Sequence, residues 1–400
     1  MKRLTSCVLT LIAMAFGFSS CDKQDDTYGQ YVVNGGYNYP AKPIDVSFSS
    51  GYNRVRLKWA EPLDPAVKTA KVYWDNYADS LTLDYSSVVD GYVSVVIDQL
   101  EERSYSFDIV NFDGQGNRSL ASEVTVSPYG NGWLATHSER RLSWAQMDGD
   151  NAVVTMGTPM DEMVATKFRY RDSSGQWVES PGVLPCEESV MELPNALKGK
   201  LLEYKSAYCP KAGIDTVWNL NWSRSNKPIV YNIDGGKCSV TVTDNQIYSN
   251  FTPEKIVDGV KDNSDSRWFS SFNSSYRNKW PKIVCIDTKL NGDNRMTFTN
   301  FKFYENPAID AETQRYIKAV DIYVGDKLFN VNASSSQLSS FGTPIAQTTL
   351  NTLGYEFEKF VDEETLGRYI AIVFKNSFSS VGYIDLWEFE AYGYVESEVD

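Results

Sequence analysis

The sequence predicts an all-β chain of several domains, and three observations carry that expectation. Twenty-five tyrosines, nineteen phenylalanines and ten tryptophans form a heavy aromatic load. The apolar residues fall in short alternating runs, and clusters of Gly, Asn, Asp and Ser break those runs every dozen residues or so. At 400 residues the chain exceeds what one β-sandwich uses, so about three domains are expected.

The first residues are not part of that fold. Lys2 and Arg3 precede an apolar run over 8–18, then small residues and a cysteine in the order F-S-S-C. This is a secretory signal, too short to span a bilayer comfortably. The junction resembles the lipobox of bacterial lipoproteins, with Phe18 where Leu is more usual; the other reading is an ordinary signal with an incidental cysteine. The resemblance implies that residues 1–20 are removed and that Cys21 is acylated, tethering the chain to the outer membrane. The acidic D-K-Q-D-D run that follows opens a flexible tether over 21–38. It is also similar to the export signal that sends lipoproteins to the cell surface in polysaccharide-harvesting gut commensals, so surface exposure is expected.

Composition excludes several functions. A net charge of −14 repels phosphate backbones and anionic headgroups, so no nucleic-acid partner is expected. His137 is the only histidine, so histidine-built zinc sites and Ser-His-Asp or Cys-His catalysis would depend on one imidazole. Its polar surroundings, T-H-S-E-R-R, predict a surface or linker residue. Beyond Cys7 and Cys21 the cysteines are Cys186, Cys209, Cys238 and Cys285, with no C-x-x-C spacing among them. They permit three pairings, of which 186 with 209 and 238 with 285 would keep each pair within one domain.

The first domain is expected over 39–130. Val55, Leu57 and Trp59 alternate on one strand, and Ala70, Val72 and Trp74 on the next, after a turn at Pro62 to Pro65. Leu100 then precedes Tyr105, Phe107 and Ile109, and D-G-Q-G-N leads to Ala121, Val124 and Val126. A buried Trp, a Leu-Tyr corner and a Gly-rich hairpin at this spacing resemble the fibronectin type III module. The resemblance makes Tyr105 the tyrosine-corner residue, ring in the core and hydroxyl on backbone. R-V-R-L-K-W, V-Y-W-D-N and Y-S-F-D-I-V-N-F-D-G-Q-G-N-R-S also resemble a domain family of unknown function common in surface lipoproteins.

A second, divergent β-sandwich is expected over 131–230. Its strands are read at 152–156, at K-F-R-Y-R before D-S-S-G, and at L-E-Y-K-S-A-Y before D-T-V-W. Residues 131–148 are polar and read as a connector, partly helical. S-R-S-N-K-P, ending at Pro228, marks the next boundary.

The last domain, 235–395, carries the functional signal. S-N-F-T-P-E-K-I-V-D-G, then S-R-W at 266–268, then W-P-K-I-V-C-I-D, and finally G-R-Y-I-A-I with D-L-W-E-F-E-A-Y-G resemble, in order, the discoidin domain. This family, also called the coagulation factor V/VIII C-type domain, has galactose-binding-like relatives among the carbohydrate-binding modules. The resemblance covers this domain alone and implies a jelly-roll sandwich, so the whole chain reads as tandem fibronectin type III-like sandwiches followed by a discoidin-like jelly roll. It further implies a structural calcium ion held by Asp258, Ser266 and Glu388, all hard oxygen donors. The loop V-K-D-N-S-D-S here is longer than the family's; the competing reading is a solvated loop.

In that family the ligand lies against loops at one end of the sandwich. Sugars offer flat C–H faces to aromatic rings and hydroxyls to oriented polar groups. The segment F-S-S-F-N-S-S-Y-R-N-K-W supplies both: Phe272, Tyr276 and Trp280 for stacking, Asn273, Arg277 and Asn278 for hydroxyls. Tyr304 and Asn306 in a second loop and Phe378 in a third complete the expected wall, while Trp268 is assigned to the core. Each ring taken singly is more readily a packing residue. The leading expectation is a lipid-anchored surface protein that binds a glycan without catalysis, with possible protein partners in an uptake complex. The alternative is an adhesive or structural protein with a protein ligand. A glycosidase built on paired carboxylates has little room, since pairs such as Glu363-Glu364 and Asp25-Asp26 read as turn or tether.

Overall fold

A computed structural model describes residues 39–399 except 86–87, 244–245, 264, 271–272, 291–294, 306–315, 351–354 and 379–381. The signal, Cys21, the acidic tether, Phe272 and Asn306 lie outside the described residues. The architecture is all-β: tandem fibronectin type III-like sandwiches followed by a discoidin-like jelly roll. The described residues fall into two compact units, one running to 136 with 210–215 added, the other of 137–209 with 216 onward.

In the first unit, one sheet orders the strands Ser47–Gly51, Arg54–Ala60 and Tyr92–Ile97. The other orders Asp79–Asp84, Val67–Trp74, Tyr105–Asp113 and Ser122–Val126. Alternation decides which side chains meet: Val55, Leu57 and Trp59 are buried against Ala70, Val72, Phe107 and Ile109, while Arg56 and Lys58 face out. The Tyr105 hydroxyl accepts the Glu101 N–H at 3.0 Å, as the tyrosine corner requires.

The second unit begins with a smaller sandwich. Leu142–Asp148, Asn151–Met156 and Val190–Leu193 form one sheet. Trp177–Glu179, Met163–Arg171, Glu203–Tyr208 and Val217–Trp218 form the other, with short strands at Leu184–Pro185 and Ser223–Arg224. Val154, Phe168, Tyr170, Leu193 and Leu202 fill the space between. Three expectations need correcting here. Residues 142–148 are a strand, not a connector; only Asn131–Leu134 is helical. Alternation is weak because both faces of that strand find partners: Ala145 lies in the core, while Trp144 meets Phe360 edge-on and Gln146 accepts the Asn300 amide. His137 is not a surface residue, since its ring packs on Tyr208 with centroids 4.6 Å apart and its side chain is 13% exposed. Glu363 and Glu364 lie within the strand Glu356–Gly367 rather than in a turn.

The jelly roll has two five-stranded sheets. One orders Tyr231–Asn232, Asp385–Val395, Met296–Glu305 and Glu356–Gly367, with Trp268–Phe269 also paired to Asp385–Val395. The other orders Ser239–Val242, Lys282–Asp287, Tyr369–Ser377, Ile317–Gly325 and Ala346–Thr349. Phe298, Phe301, Phe303, Ile286, Ile322, Ile372 and Phe389 fill the core between them. Lys282–Asp287 is buried on both faces because Phe329, Val331, Leu338 and Phe341 cover its outer side. Asp287 closes that strand with two bonds from the Arg368 guanidinium, at 2.7 and 2.9 Å.

The pairing of Cys238 with Cys285 does not form. Ser239 faces Asp287 and Thr241 faces Cys285, which leaves Cys238 three positions from the register a bridge needs. Three positions on a strand span roughly 10 Å, beyond the ~7 Å Cα reach of a disulfide. Cys238, Cys285 and Cys186 are free thiols, so Cys186 does not bridge to Cys209 either.

Candidate functional site

Antiparallel registers bring several strand ends of the jelly roll together. Lys282 pairs with Phe374, Ile317 with Ser377, Glu305 with Leu386, and Phe269 with Asp385. The described residues flanking these positions, 273–281, 316 and 382–384, therefore lie toward one end of the sandwich, where loops can carry binding groups on a rigid base.

Five of the proposed ligand residues are described in or beside this end as one turn. Asn273 initiates it: its side-chain oxygen accepts the Ser275 N–H at 2.9 Å, and its carbonyl accepts Tyr276 N–H and Arg277 N–H. Tyr276 and Arg277 are half-buried, and Asn278 is exposed. Trp280 precedes Pro281 and packs one side against the core. The Arg277 Nε–H is buried with no hydrogen-bond partner. Beneath the turn lies Lys282, 1% exposed, whose ammonium donates to the Gln246 side chain at 3.1 Å and to the carbonyls of Lys279 and Tyr276 at 3.3 and 3.5 Å. It also lies 5.0 Å from the Trp280 ring. Burial brings this lysine down to about 8. Gly382 sits against the turn at φ +68°, where a Cβ would stand 2.1 Å from Asn278 Oδ1 and 2.7 Å from the Arg277 carbonyl.

Phe378 belongs to the same end: its N–H donates to the Tyr316 carbonyl and Lys318 Nζ lies 5.7 Å from its ring. Tyr304 does not. Phe303 points into the core, so Tyr304, one residue on, points to the outer face of its sheet. There its hydroxyl donates to Glu390 and accepts from Lys261, and the ring lines a groove of about 350 Å³ with Trp144, Gln146 and Tyr392. Trp268 is fully buried, its indole N–H on the Gln246 carbonyl at 2.9 Å.

A further cluster at this end escaped the sequence reading. Tyr248 and Phe251 stack nearly parallel, 8° apart with centroids at 6.4 Å, and both rings meet Phe269. Arg267 lies 4.7 Å over the Phe251 ring and pairs with the buried Asp385 at 3.2 Å. Tyr248 is 42% exposed, the outer member of a ring pair whose other member, Phe251, carries the Arg267 guanidinium. The available signal is Tyr248, one residue ahead of S-N-F-T-P-E-K-I-V-D-G, with Phe251 three residues on inside that motif. Deeper in, Glu305 accepts the Ile317 N–H at 2.6 Å and is held well above the usual carboxylate range by burial.

Asp258, Ser266 and Glu388 do come together. The Ser266 hydroxyl donates to Asp258, whose other oxygen accepts the Val260 N–H at 3.0 Å. Glu388 Oε1 accepts the Gly259 N–H at 3.1 Å. Its second oxygen is buried without a hydrogen-bond partner, and burial pushes this carboxyl up to about 9, with the charges of Asp258 and Glu390 acting in the same direction. Two carboxylates and a hydroxyl, one oxygen orphaned, are a donor set that fits a hard divalent cation. Among the described residues no group of three or more His, Cys, Asp or Glu side chains gathers around one point.

Fold and loop end together define a chain of β-sandwiches whose last member carries an aromatic and arginine-lined loop surface. A family model described as a domain of unknown function matches residues 21–217. The match covers the first fibronectin type III-like sandwich and most of the second, further than the motifs of the first one alone. No curated protein matches the sequence. Among solved structures, a SusE-like protein is similar over 88% of this chain and 96% of its own, at 10% identity and a TM-score of 0.33. A family 32 carbohydrate-binding module of Clostridium perfringens NanJ, solved in complex with galactose, is similar over 41% of this chain and 99% of its own, at 13% identity and a TM-score of 0.32. A two-domain fibronectin type III segment of chicken tenascin covers 46% of this chain and 99% of its own, at 12% identity and a TM-score of 0.20.

Proposed function

We propose that this chain binds carbohydrate without catalysis through the loop end of its C-terminal sandwich. The observation that carries the reading is the part-exposed Tyr248, stacked with Phe251 over which Arg267 lies, with Tyr276, Arg277 and Asn278 on a turn at the same end. Stacking rings with fixed hydrogen-bonding groups are what a pyranose needs from a protein. The ordered resemblance of four segments to the discoidin domain supports the same reading.

Calcium belongs to the proposal as a structural ion. Asp258, Ser266 and Glu388 would hold it, its charge would draw Glu388 into the ionised form, and the Asp258-Gly259 turn would be fixed to the last strand. Anchoring at Cys21 in the outer membrane, with display at the cell surface, rests on the amino-terminal segment. A role without catalysis is part of the same proposal; histidine-based chemistry would depend on His137 alone, whose ring packs on Tyr208 in the smaller sandwich.

A glycan array probed with the whole chain, with and without chelator, tests the proposal. The expected result is a restricted set of hits with micromolar to millimolar affinity, weakened by Tyr248→Ala or Arg277→Ala in protein that still unfolds cooperatively. Silence across a broad array, or hits indifferent to both substitutions, would remove the loop end from the account.

A further inference from the structure

The smaller sandwich of the second unit carries a surface that the loop-end reading does not use. On the strand Met163–Arg171, Phe168 and Tyr170 point into the core, so Lys167, Arg169 and Arg171 share the outer face. They interleave with indoles: Lys167 lies 5.1 Å from Trp218 and 5.3 Å from Trp222, Arg169 lies 5.1 Å from Trp222 and 5.3 Å from Trp177, and Arg171 lies 5.1 Å from Trp177. Lys205 on the next strand adds a contact at 4.9 Å to Trp222. Carboxylates near these cations are Glu203, 2.5 Å from Arg169, Glu179, 3.3 Å from Lys167, and Glu139, whose charge acts on Lys205 together with that of Glu179.

Two features set this face apart from an ordinary stabilising ladder. Lys167 stands directly opposite Lys205 across the strand pair, their Cβ atoms about 5 Å apart, and like charges placed opposite each other in this way cost stability. Lys205 is held below its ordinary value by burial and by the charges of Lys167 and Arg169. The chain as a whole carries −14, so this is a local excess of positive charge on an acidic protein, edged by the exposed Trp177.

We propose that this face is a second, separate glycan site, selective for a polysaccharide whose sugars bear an anionic group. The anion settles between Lys167 and Lys205 and relieves their repulsion, while a sugar ring lies against an indole. Net acidity elsewhere keeps polyanions from binding indiscriminately. Carboxylated and sulfated sugars share this chemistry, and the experiment separates them.

The test is affinity electrophoresis of the whole chain in polygalacturonate, in heparin and in neutral dextran, at low and high salt, with single-stranded DNA as a competitor. Retardation is expected in at least one of the two acidic polymers and not in dextran, and it should fade with salt. Preference for polygalacturonate would assign uronates, and preference for heparin would assign sulfated sugars. Lys205→Gln should weaken retardation roughly tenfold while the melting temperature stays level or rises, a combination that a purely structural ladder does not give. Lys327→Gln, an exposed lysine of the jelly roll that belongs to neither site, should leave retardation unchanged. The proposal is overturned if neither acidic polymer retards the chain, if Lys205→Gln lowers stability and spares binding, or if DNA competes as well as the sugar polymer does. Any of these results leaves the loop-end site to stand or fall on its own array.

Discussion

At the scale of single residues, Lys282 and Gly382 decide whether the loop end is a defined surface. Lys282 is buried without a carboxylate in its bonding shell, and its three donors hold the Gln246 amide and two carbonyls of the 273–280 turn. A lysine whose folded value is depressed contributes stability above its unfolded value, and that contribution is lost as pH falls through about 8. The whole chain should therefore gain stability as pH rises from about 8 toward about 10.4. Lys282→Met should abolish that gain and raise amide exchange over 273–280. Denaturant titrations at several pH values, with hydrogen exchange, check both; unchanged exchange in the turn would show that Lys282 does not position it. Gly382 is the complementary case. Its positive φ and the closeness of Asn278 leave no room for a side chain. Gly382→Ala should displace the 277–278 backbone and cost roughly 1–3 kcal/mol, read as a lower midpoint in urea.

At the scale of elements, the strand Lys282–Asp287 shows what the sequence disclosed and what it withheld. I-V-C-I reads as a run buried on both faces, and it is, because the jelly-roll core lies on one side and Phe329, Leu338 and Phe341 on the other. Which end of that strand would matter was legible only through the ordered likeness to the discoidin domain. The strand Leu142–Asp148 was missed for the converse reason: its outer face is covered by Phe360 and Asn300, and nothing local in the sequence announces a distant partner. Tyr304 was misplaced by one step of the pleat, since proximity to a loop in sequence does not determine which face of a strand a ring takes. Tyr248 and Phe251 were missed because their value lies in Arg267 and Phe269, some twenty residues away in the chain. The Asp287 and Arg368 pair gives this scale its own test. Asp287 is held well below the usual carboxylate range, first by its bonds from Arg368, so its stability is present above its unfolded value and is lost as pH falls below about 4. Asp287→Asn should lower stability at neutral pH by about 2 kcal/mol and flatten the acid limb of the pH profile. A profile still as steep as the parent's would mean that this pair does not govern acid unfolding.

At the scale of the whole molecule, three sandwich cores carry the candidate sites on their outsides. Each core is aliphatic and aromatic, and the polar groups of the two candidate sites sit at a loop end and on an outer sheet face. Calcium is the clearest whole-chain variable. If Asp258, Ser266 and Glu388 hold the ion, millimolar calcium should raise the melting temperature of the chelator-treated chain, by the linkage between ligand binding and folding. Glu388→Gln should erase most of that rise. A rise of equal size in the variant would place the ion elsewhere.

Hydrogen exchange on the whole chain, with and without a saturating glycan chosen from the array, tests the central claim most directly. The account expects protection confined to the segments around Tyr248 and around 273–280, with exchange elsewhere unchanged. Protection spread over the first unit, with those two segments exchanging as fast as before, would contradict it.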